Sequence, residues 1–185
     1  IIKALPNQPI DLVINKTSLE IKYLSGQQTL VLEQDTTFPK LKIEEVKTTF
    51  NVDGELLFKA INFTAYTMPA DEIYTTYEGL FIHTVNKKLT FVSANPPSFA
   101  VFTINHPTEV EVNIILTRKS VNILKGILSN VPDITVKVSR NGVFFEVDNV
   151  VFSCLLKLEK YASYQSMIPE KFGIIAEIDK ELFSS

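Results

Sequence analysis

One pattern governs what this chain can fold into: a β-rich stretch, a helix and three further β-rich pieces, written twice in succession. Asp53 precedes GELLFKAINF, in which Leu56, Leu57, Ala60 and Ile61 recur at helical spacing, and an Asp ahead of such a run can cap the free amides of a first turn. Thr117 likewise precedes RKSVNILKGILSNVP, with Val121, Leu124, Ile127 and Leu128 on one face and Pro132 beyond its end. Each helix follows a strand-like segment, TTFNV or VNIIL. Each is followed by short runs rich in β-branched and aromatic residues and separated by turn chemistry, so that FIHTV/NKK/LTFVSA/NPP/SFAVFTI parallels TVKVS/RNG/VFFEVD/NV/VFSCLLKL. The expectation is an α+β fold of antiparallel strands with two helices per doubled unit.

A longer period lies over this one. ALPNQPIDLVINKTSLEIKYLSGQQTLVLEQ at the start matches NVPDITVKVSRNGVFFEVDNVVFSCLLKLE, and Leu19 and Ile21 answer Val143 and Phe145 at a spacing of 124 residues. FNVDGELLF at Phe50 to Phe58 is echoed by AEIDKELFS near the end, with Asp53 and Asp179 126 residues apart. Two independent matches at nearly one spacing argue for a repeat. The chain, which opens IIKALPNQ without an initiator Met, reads as an excerpt of such an array: the end of one repeat over 1–44, a complete repeat over 45–169 and the start of a third over 170–185.

Composition narrows the chemistry. With 185 residues and 45% hydrophobic side chains the chain can bury a sizeable core, and a formal net charge of -3 announces neither a nucleic-acid nor a membrane partner in bulk, so any basic surface is local. Cys154 is the sole cysteine, inside VVFSCLLKL, which leaves no disulfide framework or cysteine zinc site within one chain and reads as a buried, inert thiol. No apolar run approaches the ~18 residues of a membrane span, and IIKALPNQ lacks the ends of a signal peptide. His83 and His106 lack recognisable ligand spacing and read as structural or surface histidines, and the six glycines form no phosphate loop. Acid pairs such as Glu44-Glu45 and Asp71-Glu72 read as solvated loops. No cofactor, metal site or catalytic activity is expected.

A doubled strand-helix-three-strand unit of roughly 125 residues, recurring along the chain, resembles the bacterial DNA sliding clamp, the β subunit of DNA polymerase III. SGQQTLVLEQDTTFPKLK resembles the end of that family's first domain, VKTTFNVDGELLFKAINFTAY the start of its second, and YEGLFIHTVNKKLTFVSA its central strands. NIILTRKSVNILKGIL resembles its second helix, and LLKLEKYASYQSMIP the exit of the domain. The resemblance implies a DNA clamp fold, with antiparallel sheets outside and two inner helices per domain, in which two three-domain subunits form a homodimeric ring around duplex DNA. It implies a non-catalytic processivity factor of the bacterial cytoplasm, associated with the nucleoid. Its partners would be double-stranded DNA held without sequence preference, and polymerase and clamp-loader subunits bound through short peptide motifs. The strand around Thr29 to Leu32 resembles the domain-one edge that pairs across the family's dimer.

A sliding ring needs weak, delocalised attraction to phosphates from its inner helices. Thr117 to Ser129 holds Arg118, Lys119 and Lys125 and no acid, and the first helix offers Lys59. Arg118 and Lys119 stand where the family places a DNA-contacting basic pair; such residues on an exposed helical face also serve simply to solvate it. The family's peptide cleft, carried over by position, implies walls from Tyr77, Ala94, Pro96, Pro97, Ser98, Phe99, Ala162, Ser166 and Met167. Ordinary packing is an equal reading for Tyr77, Phe99 and Met167. The chain departs from the family here. Ala94 to Ala100 replaces the common Thr-Asp-Gly-His-Arg-Leu-Ala, and Tyr161-Ala162-Ser163-Tyr164 replaces an aromatic-Pro-Asp-Tyr pattern. Loss of the Arg removes a hydrogen-bonding wall, and two prolines stiffen the turn. The alternative function is a clamp-fold protein-interaction scaffold or inactive paralogue that no longer encircles DNA.

Overall fold

A computed structural model describes residues 2–33, 41–69, 77–105, 110–129, 131–169, 171, 173–174, 176–179 and 183. The chain divides into two units, Ile1–Lys40 and Leu41–Ser185. In the first, β1 (Asp11–Ile14), β2 (Ser18–Tyr23) and β3 (Gly26–Val31) form an antiparallel sheet in that order. Leu12 pairs with Ile21, Ile14 with Leu19, and Leu19 with Leu30, so alternation puts the apolar residues on one face. The other face carries Glu20 and Lys22, 3.6 Å apart. Leu32 N donates to Thr17 O at 2.9 Å, extending the β2–β3 pairing beyond Val31. A single 3-10 turn, Ile2–Ala4, precedes this sheet.

The second unit contains β4 (Val46–Asp53), α1 (Gly54–Ala65), β5 (Leu80–Val85), β6 (Lys88–Asn95) and β7 (Ser98–Asn105). It then runs through β8 (Asn113–Leu116), α2 (Arg118–Ile127), β9 (Asp133–Ser139), β10 (Gly142–Val147) and β11 (Val150–Leu155). Both caps form as the sequence predicts. Asp53 Oδ1 accepts from Leu56 N at 2.8 Å, and Thr117 Oγ1 accepts from Ser120 N at 3.2 Å. The β5–β6 hairpin turns through Asn86 and Lys87 at φ 49° and 62°, the left-handed pair that a two-residue turn of this twist requires.

The halves are interlocked. The sheets run β11-β10-β9-β4 and β7-β6-β5-β8, so the strand that opens each half joins the three strands of the other. Phe50 pairs with Val136 in one sheet and Ile114 with Ile82 in the other, equivalent positions of the two copies. One core cluster results. It takes Phe91 and Phe145 from the sheets, Leu57, Ala60 and Ile61 from α1, and Val121 and Leu124 from α2. Leu56, anticipated on the buried stripe, is instead 43% exposed because the burial arc of α1 centres on Leu57, Ile61 and Thr64. The 124-residue match is structural as well: β2, with Leu19 and Ile21, and β10, with Val143 and Phe145, are each the middle strand of a three-strand meander.

Gly54 occupies the first turn of α1 because the chain passes too close for a side chain. Its amide donates to Pro132 O at 2.8 Å, and an added Cβ would meet Val131 O at 2.2 Å. Ala normally gains about 1 kcal/mol over Gly in a helix. Here the clash with a backbone oxygen outweighs that gain, and Gly54→Ala is expected to destabilise the protein by about 1–3 kcal/mol in denaturant melts.

Candidate nucleic-acid interface and outer cleft

The two helices touch each other and bury against one core, so their exposed faces open on the helical side of the unit. Lys59 and Lys119 are exposed there, and Lys125 is half-buried. Among the described residues no carboxylate pairs with any of the three. α2 carries three cations and no acid, with two of the cations in its first turn, where the helix dipole disfavours positive charge. Local stability of the helix therefore does not explain Lys119. α1 differs: Glu55 offsets Lys59, and its exposed side also carries Leu56, Phe63 and Tyr66.

Arg118 is placed differently from its neighbour. Its side chain runs back to α1, where Nη1 donates to the carbonyls of Met68 and, at 3.0 Å, Pro69. The same turn is tied to β6 by a buried hydroxyl group. Ser93 Oγ donates to Thr64 O, and Thr67 Oγ1 touches Ser93 Oγ while lying 3.1 Å from the carbonyls of both Thr64 and Ser93.

On the opposite side, the segment after β11 covers the outer face of the β7-β6-β5-β8 sheet. Lys157 bridges to Ile115 and its ammonium pairs with Glu78. Tyr161 stacks on Phe81 with ring centroids 4.9 Å apart, Phe81 stacks on His83 at 4.4 Å, and Tyr77 meets Tyr161 edge-on at 6.1 Å. Tyr164 Oη lies 3.0 Å from His83 Nε2. Burial pushes the Tyr161 phenol well above the usual tyrosine range. His83 is thus a packed histidine, as the sequence reading expects, while His106 lies outside the described residues. Cys154 is likewise buried, and burial raises its thiol pKa despite a hydrogen bond with Ser120.

Burial lowers the His83 pKa below its ordinary 6.5, so the unfolded chain binds the proton more readily than the folded one. Stability from neutral His83 is complete above about pH 6.5 and declines as pH falls toward the lowered folded value. Thermal melts from pH 7.5 to 5 should show this loss, and His83→Gln should flatten it.

The anticipated cleft residues separate into two groups. Pro96, Pro97 and Ser98 form an exposed hairpin tip with a cis bond between the prolines, Phe99 and Ala162 are half-buried, and Ser166 is exposed on the 3-10 turn Gln165–Met167. Tyr77 is half-buried against Tyr161. Ala94 departs from the expectation: it is fully buried, opposite Phe99 on the sheet face that Tyr161 covers, and offers no surface. The described backbone places Met167 in the 3-10 turn. Beyond that turn a groove of about 410 Å³ opens between Val85, Val101, Thr103, Tyr164 and Ile168.

A duplicated strand-helix-three-strand domain, with an acid-free basic helix on one side and a covered sheet on the other, defines the DNA clamp class of fold. The comparisons narrow this. Residues 51–161 match the family model described as DNA polymerase III beta subunit, central domain, and the chain belongs to that family. A protein named beta sliding clamp from Borreliella burgdorferi is 30% identical over 114 residues, 61% of this chain and 30% of that protein. Among solved structures, the β subunit from Thermotoga maritima superposes with a TM-score of 0.78 at 24% identity, over 92% of this chain and 47% of that one. The DnaN sliding clamp from Bartonella birtlesii, solved bound to griselimycin, gives 0.80 at 22% identity, over 91% and 48%. The chain thus spans about half the length of these solved relatives and less of the curated one.

Proposed function

We propose that this chain is part of a sliding clamp that encircles duplex DNA as a homodimeric ring and tethers a replicative polymerase without reading sequence. The observation that carries the reading is α2, whose exposed Lys119 has no carboxylate partner among the described residues, on a helix with no acid. Sliding requires contacts that are individually weak and indifferent to bases, and uncompensated lysines facing phosphates supply that. Lys59 and Lys125 add to the same field. Lys119→Gln in the full protein should reduce the salt slope of duplex binding by about 0.9 and leave the melting temperature unchanged. An unchanged slope would remove Lys119 from the contact.

In this reading the units over 1–44, 45–169 and 170–185 belong to successive clamp domains. The exposed tip Pro96–Ser98, with Phe99, Ala162, Ser166 and Met167, forms part of the surface where peptides of polymerase and clamp-loader subunits dock. The protein acts in the bacterial cytoplasm at the nucleoid and performs no catalysis of its own. One observation favours the second reading, an interaction scaffold that does not enclose DNA: α1 exposes Leu56, Phe63 and Tyr66 beside a single lysine. A scaffold would bind partner peptides with no dependence on DNA topology.

A further inference from the structure

We infer that Arg118 is a positioning residue, which pins the exit of α1 to the entry of α2 and thereby aims Lys119. This deepens the clamp reading and rests on it for the role of Lys119, whereas the pin itself stands on geometry alone. Three observations converge. The Arg118 Nη1 group donates to two successive carbonyls, Met68 and Pro69, just past the end of α1. Those residues are buried, and the turn that bears them is also tied to Ser93 on β6 through Thr64 and Thr67. Finally, Lys119 is the next residue, so its backbone is fixed wherever the Arg118 pin fixes the first turn of α2.

Carbonyls freed past a helix end must find donors, and a planar guanidinium can serve two at once in a fixed fork. A lysine ammonium carries the same charge without that geometry. Charge and pinning can therefore be separated by substitution. Arg118 also stabilises a dipole-disfavoured position by spending its donors on carbonyl oxygens rather than leaving them toward the amides of its own helix.

The test uses Arg118→Gln, Arg118→Lys, Lys119→Gln and the double variant Arg118→Gln/Lys119→Gln in the full protein. Duplex DNA binding is measured from low to moderate salt, and amide hydrogen exchange is followed over 64–69. Arg118→Gln should weaken binding several-fold, Arg118→Lys should fail to restore it, and the loss should vanish in the Lys119→Gln background, since there is then nothing left to aim. Faster exchange at Thr67 and Met68 should accompany both Arg118 variants. Restoration by Arg118→Lys, with losses that add to those of Lys119→Gln, would make Arg118 a direct phosphate contact and overturn the inference. If the wild-type protein shows no salt-dependent DNA binding, the clamp reading fails. Exchange at Thr67 and Met68 then still decides the pin: unchanged protection in Arg118→Gln would overturn it.

Discussion

Phe91→Ala is expected to cost about 3–5 kcal/mol, enough to unfold much of the protein at 37 °C. Phe91 lies on β6 with no exposed surface, pairs across to Ile82 and Phe102, and sits in the cluster shared by both sheets and both helices. The halves interlock through β4 and β8, so neither can relax alone around the cavity, and the penalty should fall near the top of the usual range. Phe144→Ala is the matched comparison. Phe144 neighbours Phe145 on β10 but is half-buried on the other sheet face, so its loss should cost far less. Urea melts of the two variants should differ in midpoint with similar slopes.

The second large effect is on binding. Lys59→Gln/Lys119→Gln should lower the salt slope of duplex binding by about 1.8 and the affinity by roughly 60-fold at about 0.1 M salt, if each lysine neutralises one phosphate. Both side chains are exposed, so the folded state should be unaffected, and the melting temperature is the control. Unchanged affinity on linear duplexes would mean that these lysines only solvate the helices.

Much of this architecture was legible because it is local. Asp53 and Thr117 announce their helices by capping chemistry that spans three residues, and the strands announce themselves by β-branched runs ended at Asn86-Lys87 or Pro96-Pro97. The spacing of Leu19 from Val143 disclosed the repeat, and the structure puts both on middle strands. Through-space choices were not legible. Pairing of β4 with β9 joins residues 80 to 93 apart in sequence, and no pattern within either strand distinguishes that partner from β5. The tail cover was missed although a signal existed. LFIHTV and KLTFVSA keep both faces out of water, Leu80 and Ile82 toward the core, Phe81 and His83 toward Tyr161 and Tyr164. A strand without a polar face implies a second covering layer.

For the site, residue types were readable and their commitments were not. Arg118 and Lys119 are adjacent and equally basic in the sequence, yet only the fold brings the Met68 and Pro69 carbonyls, some fifty residues earlier, within reach of Arg118. Ala94 was expected to form a cleft wall by its position in the family resemblance, but strand alternation and the Tyr161 cover bury it.

The most direct measurement of the central claim loads the full protein onto closed circular duplex DNA with a bacterial clamp loader, then compares retention before and after the circle is cut once. Encirclement predicts stable retention on the circle and rapid loss from the linear product, with the Lys59 and Lys119 variants following the same topology rule. Equal retention on circular and linear DNA would contradict it.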